Sequence, residues 1–185
     1  KGADAGTMLN WSLTFLPPPI QPCAQNFDGV TAPALPTGWT STTLTDCASS
    51  NPWATTNTGF NSAPNAAFAN DPNCISDEVL DSKVFPVIST TAQLNFWTNF
   101  DLEDNFDGMV LEISIGGGPF TDIITAGGSF VTGGYNSILT VSGNPIGGQN
   151  AWSGNSGGYI PVSVNLPAAA NGQNVVFRWR RGTDS

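Results

Sequence analysis

The chain has 185 residues and a formal net charge of −9, from Lys+Arg 5 against Asp+Glu 14 with no His. Five cations cannot track a phosphate backbone, which argues against nucleic acid as a partner, and the lack of His removes every Ser-His-Asp, Cys-His and His-metal arrangement. Charged residues make up 10% of the chain against Gly 21 and Pro 14, a bias that disfavours helix and points to an all-β fold, while six Trp and 11 Phe supply a core that a disordered polar tract lacks.

In chain order, Gly6 to Leu16 reads as a strand, and Pro17-Pro18-Pro19 with Pro22 ends it in a stiff extended linker over 17–25. Residues 1–16 are therefore expected to be the last strand of a preceding domain or an added edge strand, and the folded unit is expected over 26–185. Short strands are expected at Asn26 to Val30, Trp39 to Leu44, Ala66 to Ala69 and Glu78 to Val87. Strict alternation marks Leu94 to Asn99, Met109 to Ile115, Ile160 to Leu166 and Val175 to Arg180, each with one face buried. Glycine pairs such as Gly127-Gly128 and Gly133-Gly134 punctuate the second half as turns. Eight to ten such strands suggest a β-sandwich of two antiparallel sheets, of jelly-roll type. No run of about 18 apolar residues exists, so no helical membrane span is expected.

The densest acidic stretch runs from Asp101 to Asp107, four carboxylates in seven residues with no cation beside them in sequence. Such a cluster is relieved either by solvation or by a hard cation, and calcium takes six to eight oxygens. The spacing is not that of an EF-hand. A second acidic group, Asp71, Asp77, Glu78 and Asp81, flanks the strand from Glu78, and Asp28 lies in the first strand of the unit. The enzyme-class alternative is a paired-carboxylate hydrolase. Among the tryptophans, Trp97 and Trp179 lie within strands and are expected to be packed, whereas Trp53 and Trp152 fall in loops and are the candidates for stacking on a sugar. Arg178, Arg180 and Arg181 are expected on the solvent face of an outer strand. Of the three cysteines, Cys47 and Cys74 are expected to pair, leaving Cys23 free or bonded elsewhere. Low Lys with abundant Thr, Asn and Gly suits a secreted or cell-surface protein.

Two resemblances follow. Gly6-Thr7-Met8-Leu9-Asn10-Trp11-Ser12-Leu13-Thr14-Phe15 resembles the closing strand of a P domain, the β-sandwich that follows the catalytic domain in proprotein convertases and many bacterial secreted proteases. Asn26 to Asp184 resembles the MAM-like jelly rolls, which include the cleaved adhesin domains of gingipains and the accessory domain of immune inhibitor A-type proteases. The carrying residues are Phe27-Asp28-Gly29, Leu35-Pro36-Thr37-Gly38-Trp39, Asp77 to Ser82, Leu94-Asn95-Phe96-Trp97 and Asp107 to Ser114. The chain departs from the pattern at Lys83 and in having no hydrophobic-Asp-Asp strand after Arg181, so the jelly roll is expected without its final strand. The resemblance implies structural calcium, with Asp28, Asp71, Asp77, Asp101, Asp104 and Asp107 as candidate ligands. It also implies a non-catalytic accessory domain of a secreted or surface multidomain bacterial protein, for adhesion or substrate recognition. Its partners would be an extracellular protein or polysaccharide and the neighbouring domains of the same chain. A carbohydrate-binding module using Trp53 or Trp152, and a structural spacer, are the alternatives.

Overall fold

A computed structural model describes residues 24–141 and 143–184. The expected N-terminal strand, most of the proline linker and Cys23 lie outside these residues. The first four strands are Thr40–Thr45 (β1), Ala54–Thr56 (β2), Ala66–Phe68 (β3) and Ser76–Asp81 (β4). The short Phe85–Pro86 (β5) leads to Gln93–Thr98 (β6) and the long Gly108–Ile115 (β7), then Thr121–Asp122 (β8) and Ser129–Thr132 (β9). Ser137–Ile138 (β10) and Asn150–Ala151 (β11) form a small ladder before Ile160–Asn165 (β12) and Asn174–Thr183 (β13). The only helical element among the described residues is one 3-10 turn, Ala168–Ala170.

The larger sheet has the order β1-β4-β13-β7-β8, with β5 also on β13, and the smaller has the order β6-β12-β9. All pairings are antiparallel. The two sheets close on one core: Leu111, Ile113, Val175 and Phe177 of the larger meet Val162 and Val164 of the smaller. Trp152 sits among them, edge-on to Phe96 at 5.9 Å, Phe130 at 5.6 Å and Tyr135 at 4.8 Å. The all-β sandwich read from the sequence is thus what the structure shows.

Several sequence expectations are corrected. Asn26 to Val30 is a turn and not a strand. Phe27 takes a positive φ of 63°, and the Asn65 side chain donates to the carbonyls of Phe27 (3.0 Å) and Val30 (2.8 Å), so these backbone acceptors are satisfied without a ladder. The strand expected at 78–87 breaks after Asp81. Between the pairs Asp81↔Arg178 and Phe85↔Val175 there are three residues on one side and two on the other, a bulge. There Ser82 donates its N–H to the Phe177 carbonyl (2.8 Å) and accepts the Phe177 N–H on its hydroxyl (2.9 Å).

Strand β7 is buried on both faces, where alternation implied one. Its outer row is covered by sequence-distant material: Val110 by Leu139, Ile146 and Ala151, and Glu112 by Arg180. The arginines do not line an outer strand, because β13 is central. Arg178 clamps Asp81 at 2.6 and 2.8 Å and stacks on Phe120, 3.5 Å from the ring centroid. Arg181 points to the inner side and is 2% exposed. Trp97, expected to be packed, is 53% exposed on the outer face of β6, whereas Trp179 packs on Trp39 (5.8 Å) and Phe96 (5.4 Å).

Candidate functional site

At one end of the sandwich, the β6–β7 loop, the segment before β4 and the end of β13 converge. The β6–β7 loop is a compact turn in which Asp107 donates its N–H to the Glu103 carbonyl (3.0 Å) and Asn105 takes a φ of 66°. Ser153 holds it from the side, its hydroxyl donating to the Asp107 carbonyl (2.7 Å) and accepting the Asn105 N–H (2.9 Å). Strand β13 brings Asp184 against this loop, and the Asp184 N–H donates to Asp107 Oδ1 at 2.6 Å. The segment before β4 is tethered by the Cys47–Cys74 disulfide, the pairing expected from the sequence. Thr183 adds a 2.7 Å hydrogen bond to the Cys74 carbonyl.

Carboxylate oxygens of Glu103, Asp107 and Asp184 all lie within 4.8 Å of one another. Asp71 is electrostatically coupled to this group through Asp107 and Glu103, and feels the charge of Arg181. Asp107 is 4% exposed. Burial, with the negative charges of Asp71 and Asp184 adding to it, pushes its carboxyl up to about 7 against the pull of the Asp184 N–H. Burial also raises Asp71, while the bonds from Asp107 and Glu103 and the charge of Arg181 pull it down. Like charges this close make it costly for both carboxyls to ionise together. Chemically the cluster is an all-oxygen, strongly anionic donor set of the kind that suits a hard divalent cation.

Of the six sequence-derived ligand candidates, the structure brings Asp71 and Asp107 together and places Asp101 on the same loop, bonded to Asn155 at 2.7 Å. Asp104 lies exposed beside Gly154. Asp28 is elsewhere, accepting the Asn65 N–H at 3.2 Å. Asp77 is buried and committed to Arg180 by bonds of 2.9 and 2.7 Å, one to each carboxylate oxygen, away from the acidic cluster. Glu103 and Asp184 are not among these candidates. Glu103 stands inside the acidic run beside its aspartates, and Asp184 carries no local sequence signal, because only the length of β13, to Thr183, brings it to the loop.

Trp152 is corrected as a ligand residue. It is 0% exposed, its ring is enclosed by aromatics, and its Nε1 donates to the Gly133 carbonyl at 2.8 Å. Trp53 is half-buried and lines a groove of 960 Å³ beside β6, with its indole N–H donating to the Glu78 carbonyl at 3.3 Å. Compared with protein-family models, curated proteins and solved structures, the chain matches none.

Proposed function

We propose that this sandwich is a non-catalytic recognition domain of a secreted or cell-surface multidomain bacterial protein, a jelly-roll accessory module that binds an extracellular partner and is stiffened by calcium. The observation that carries the calcium part is the convergence of Glu103, Asp107 and Asp184, whose carboxylate oxygens lie within 4.8 Å of one another with Asp107 almost fully buried, and to which Asp71 is electrostatically coupled. These four side chains would hold the ion. Their oxygens come from three separate stretches of chain, so a bound cation would tie the β6–β7 loop to both the disulfide-tethered segment and the end of β13. Ordering these loops before an encounter lowers the entropy that a partner must overcome.

The test is calorimetric titration of the full chain with Ca²⁺, together with thermal melts in Ca²⁺ and in chelator. Saturable binding and a higher Tm in Ca²⁺, both lost in Asp184→Asn and in Glu103→Gln, are expected. No heat and no shift in Tm would remove the calcium part. The accessory-domain part is tested in the intact parent protein, where deleting this unit should abolish attachment or substrate capture and leave hydrolytic turnover of small soluble substrates unchanged.

A further inference from the structure

One end of the larger sheet buries two opposite charges that do not touch. Glu78 of β4 stands between Thr43 of β1 and Arg181 of β13 in the ladder. It is 0% exposed and Arg181 is 2% exposed, yet among the described residues neither forms an ion pair. Ser50 joins them, its hydroxyl donating to Glu78 Oε1 (2.7 Å) and accepting from the Arg181 guanidinium (3.0 Å). Thr43 donates to the other Glu78 oxygen at 2.7 Å, and Arg181 also donates to the Ser76 hydroxyl (3.0 Å) and the Asn70 carbonyl. Taking both charges out of water is costly unless hydrogen bonds replace their hydration, so the closed end depends on Ser50 staying in place.

Ser50 lies on a short segment between β1 and β2. Its own N–H donates to the Cys47 carbonyl (2.9 Å), and Cys47 is bonded to Cys74. Asn70 laces the same segment to the chain before β4, accepting the Asn51 N–H (2.7 Å) and donating to the Ser49 carbonyl (2.8 Å). No residue of 47–51 belongs to either hydrophobic core cluster. Polar contacts and the disulfide hold it down, with no apolar anchor. Both cysteines are half-buried between exposed neighbours, Ala48 and Ser49 on one side of the bridge and Asn73 and Ile75 on the other, so a reductant reaches the bond from outside.

We propose that Cys47 to Asn51 is a strap over the charges of Glu78 and Arg181, locked by the disulfide and released by a dithiol reductant. One thiolate of the dithiol attacks a sulfur of the bridge, and its second thiol then displaces that sulfur from the mixed disulfide. The Cys47–Cys74 bond breaks, both cysteines become thiols, and the reductant leaves as its own disulfide, having passed on two electrons and two protons. Once untethered, the strap exchanges its hydrogen bonds for water, and hydration of the two charges favours the open form. The loops at this end are thus fixed in oxidising surroundings and loosened in reducing ones. Neither calcium nor a binding partner enters this switch.

The test uses the full chain carrying Cys23→Ser, so that only Cys47 and Cys74 react. Amide hydrogen exchange is measured in chelator, before and after complete reduction by dithiothreitol, with alkylation of both thiols as the check on reduction. Exchange at Ser50 and Asn51 should quicken about tenfold or more on reduction, the equivalent of one lost hydrogen bond. It should then be insensitive to low urea, the mark of local opening, while amides of β7 and β12 keep a steep urea response. Unchanged exchange at Ser50 and Asn51 after complete reduction overturns the proposal. So does exchange there with the urea dependence of β7 and β12, which would mean that the bridge acts on global stability alone. Glu78→Gln combined with Arg181→Met removes both buried charges, and in that protein Ser50 and Asn51 should stay near their oxidised rates after reduction. Equal opening with and without the charges would overturn their part in the switch.

Discussion

Asp107 accepts the backbone N–H of Asp184 at 2.6 Å, although the two residues are 77 positions apart. This bond seats the end of the central strand β13 on the β6–β7 loop and sets two acidic side chains against one another. The surrounding burial keeps Asp107 protonated up to about pH 7.

A pH dependence follows with a definite sign. An acid whose folded-state pKa is raised makes the native state bind a proton that the unfolded state has released, so stability falls as pH rises through the interval between the two values. For Asp107 that interval runs from the ordinary aspartate value of about 4 to about 7. In chelator, the Tm of the wild type should fall across pH 4–7 more steeply than that of Asp107→Asn, which has no carboxyl to titrate there. A cation at these carboxylates competes with the proton on Asp107, so Ca²⁺ affinity should rise with pH over the same interval, by up to about tenfold per pH unit. Calorimetry in buffers of different ionisation enthalpy should show the proton released. Identical Tm profiles for the two proteins would contradict the raised carboxyl of Asp107.

The ion pair of Arg180 with Asp77 makes a second prediction. The Asp77 side chain is 4% exposed, so Arg180→Met strands a buried carboxylate and should cost about 3 kcal/mol. Adding Asp77→Asn should recover part of that loss in a double-mutant cycle by urea denaturation. Strictly additive losses would mean that the two residues are not coupled.

Removing Trp152 should test core against surface. Trp152→Ala deletes a fully enclosed indole and is expected to cost about 4 kcal/mol, while the half-buried Trp53 should cost clearly less. Equilibrium unfolding of the two variants gives the comparison. A Trp152→Ala protein as stable as the wild type would contradict the packing described.

The disulfide has both a stability and a site consequence. Cys47 and Cys74 are 27 residues apart, and replacing both with Ser should cost about 3 kcal/mol through the freed unfolded chain. Because the bridge tethers the segment that carries Asp71, the same variant should also bind Ca²⁺ more weakly at a temperature where it remains folded. Unchanged affinity would show that Asp71 is held without it.

The strands themselves were legible where alternation ran long. Leu94 to Asn99, Met109 to Ile115, Ile160 to Leu166 and Val175 to Arg180 correspond to β6, β7, β12 and β13 within a residue or two at most ends, because the period of two is a local property of side-chain direction. Short β2, β5, β8, β10 and β11 were not legible as separate strands, since two or three residues carry no period. Asn26 to Val30 is a turn where a strand was expected, because the Asn65 amide, nearly forty residues away, satisfies that backbone without a ladder.

Composition and alternation alone determined an all-β protein with an acidic surface, no histidine chemistry, and an acid-rich loop between the sixth and seventh strands. Only the tertiary structure decided which acids share that loop's space, that Asp77 answers Arg180, and that Trp152 is core and Trp97 surface. The physical reason is one of range. Alternation reports that a strand has two faces, but what covers each face, and which charge stands beside which, depends on segments brought together from distant parts of the chain. Asp184 reaches Asp107 only because β13 runs through the centre of the larger sheet.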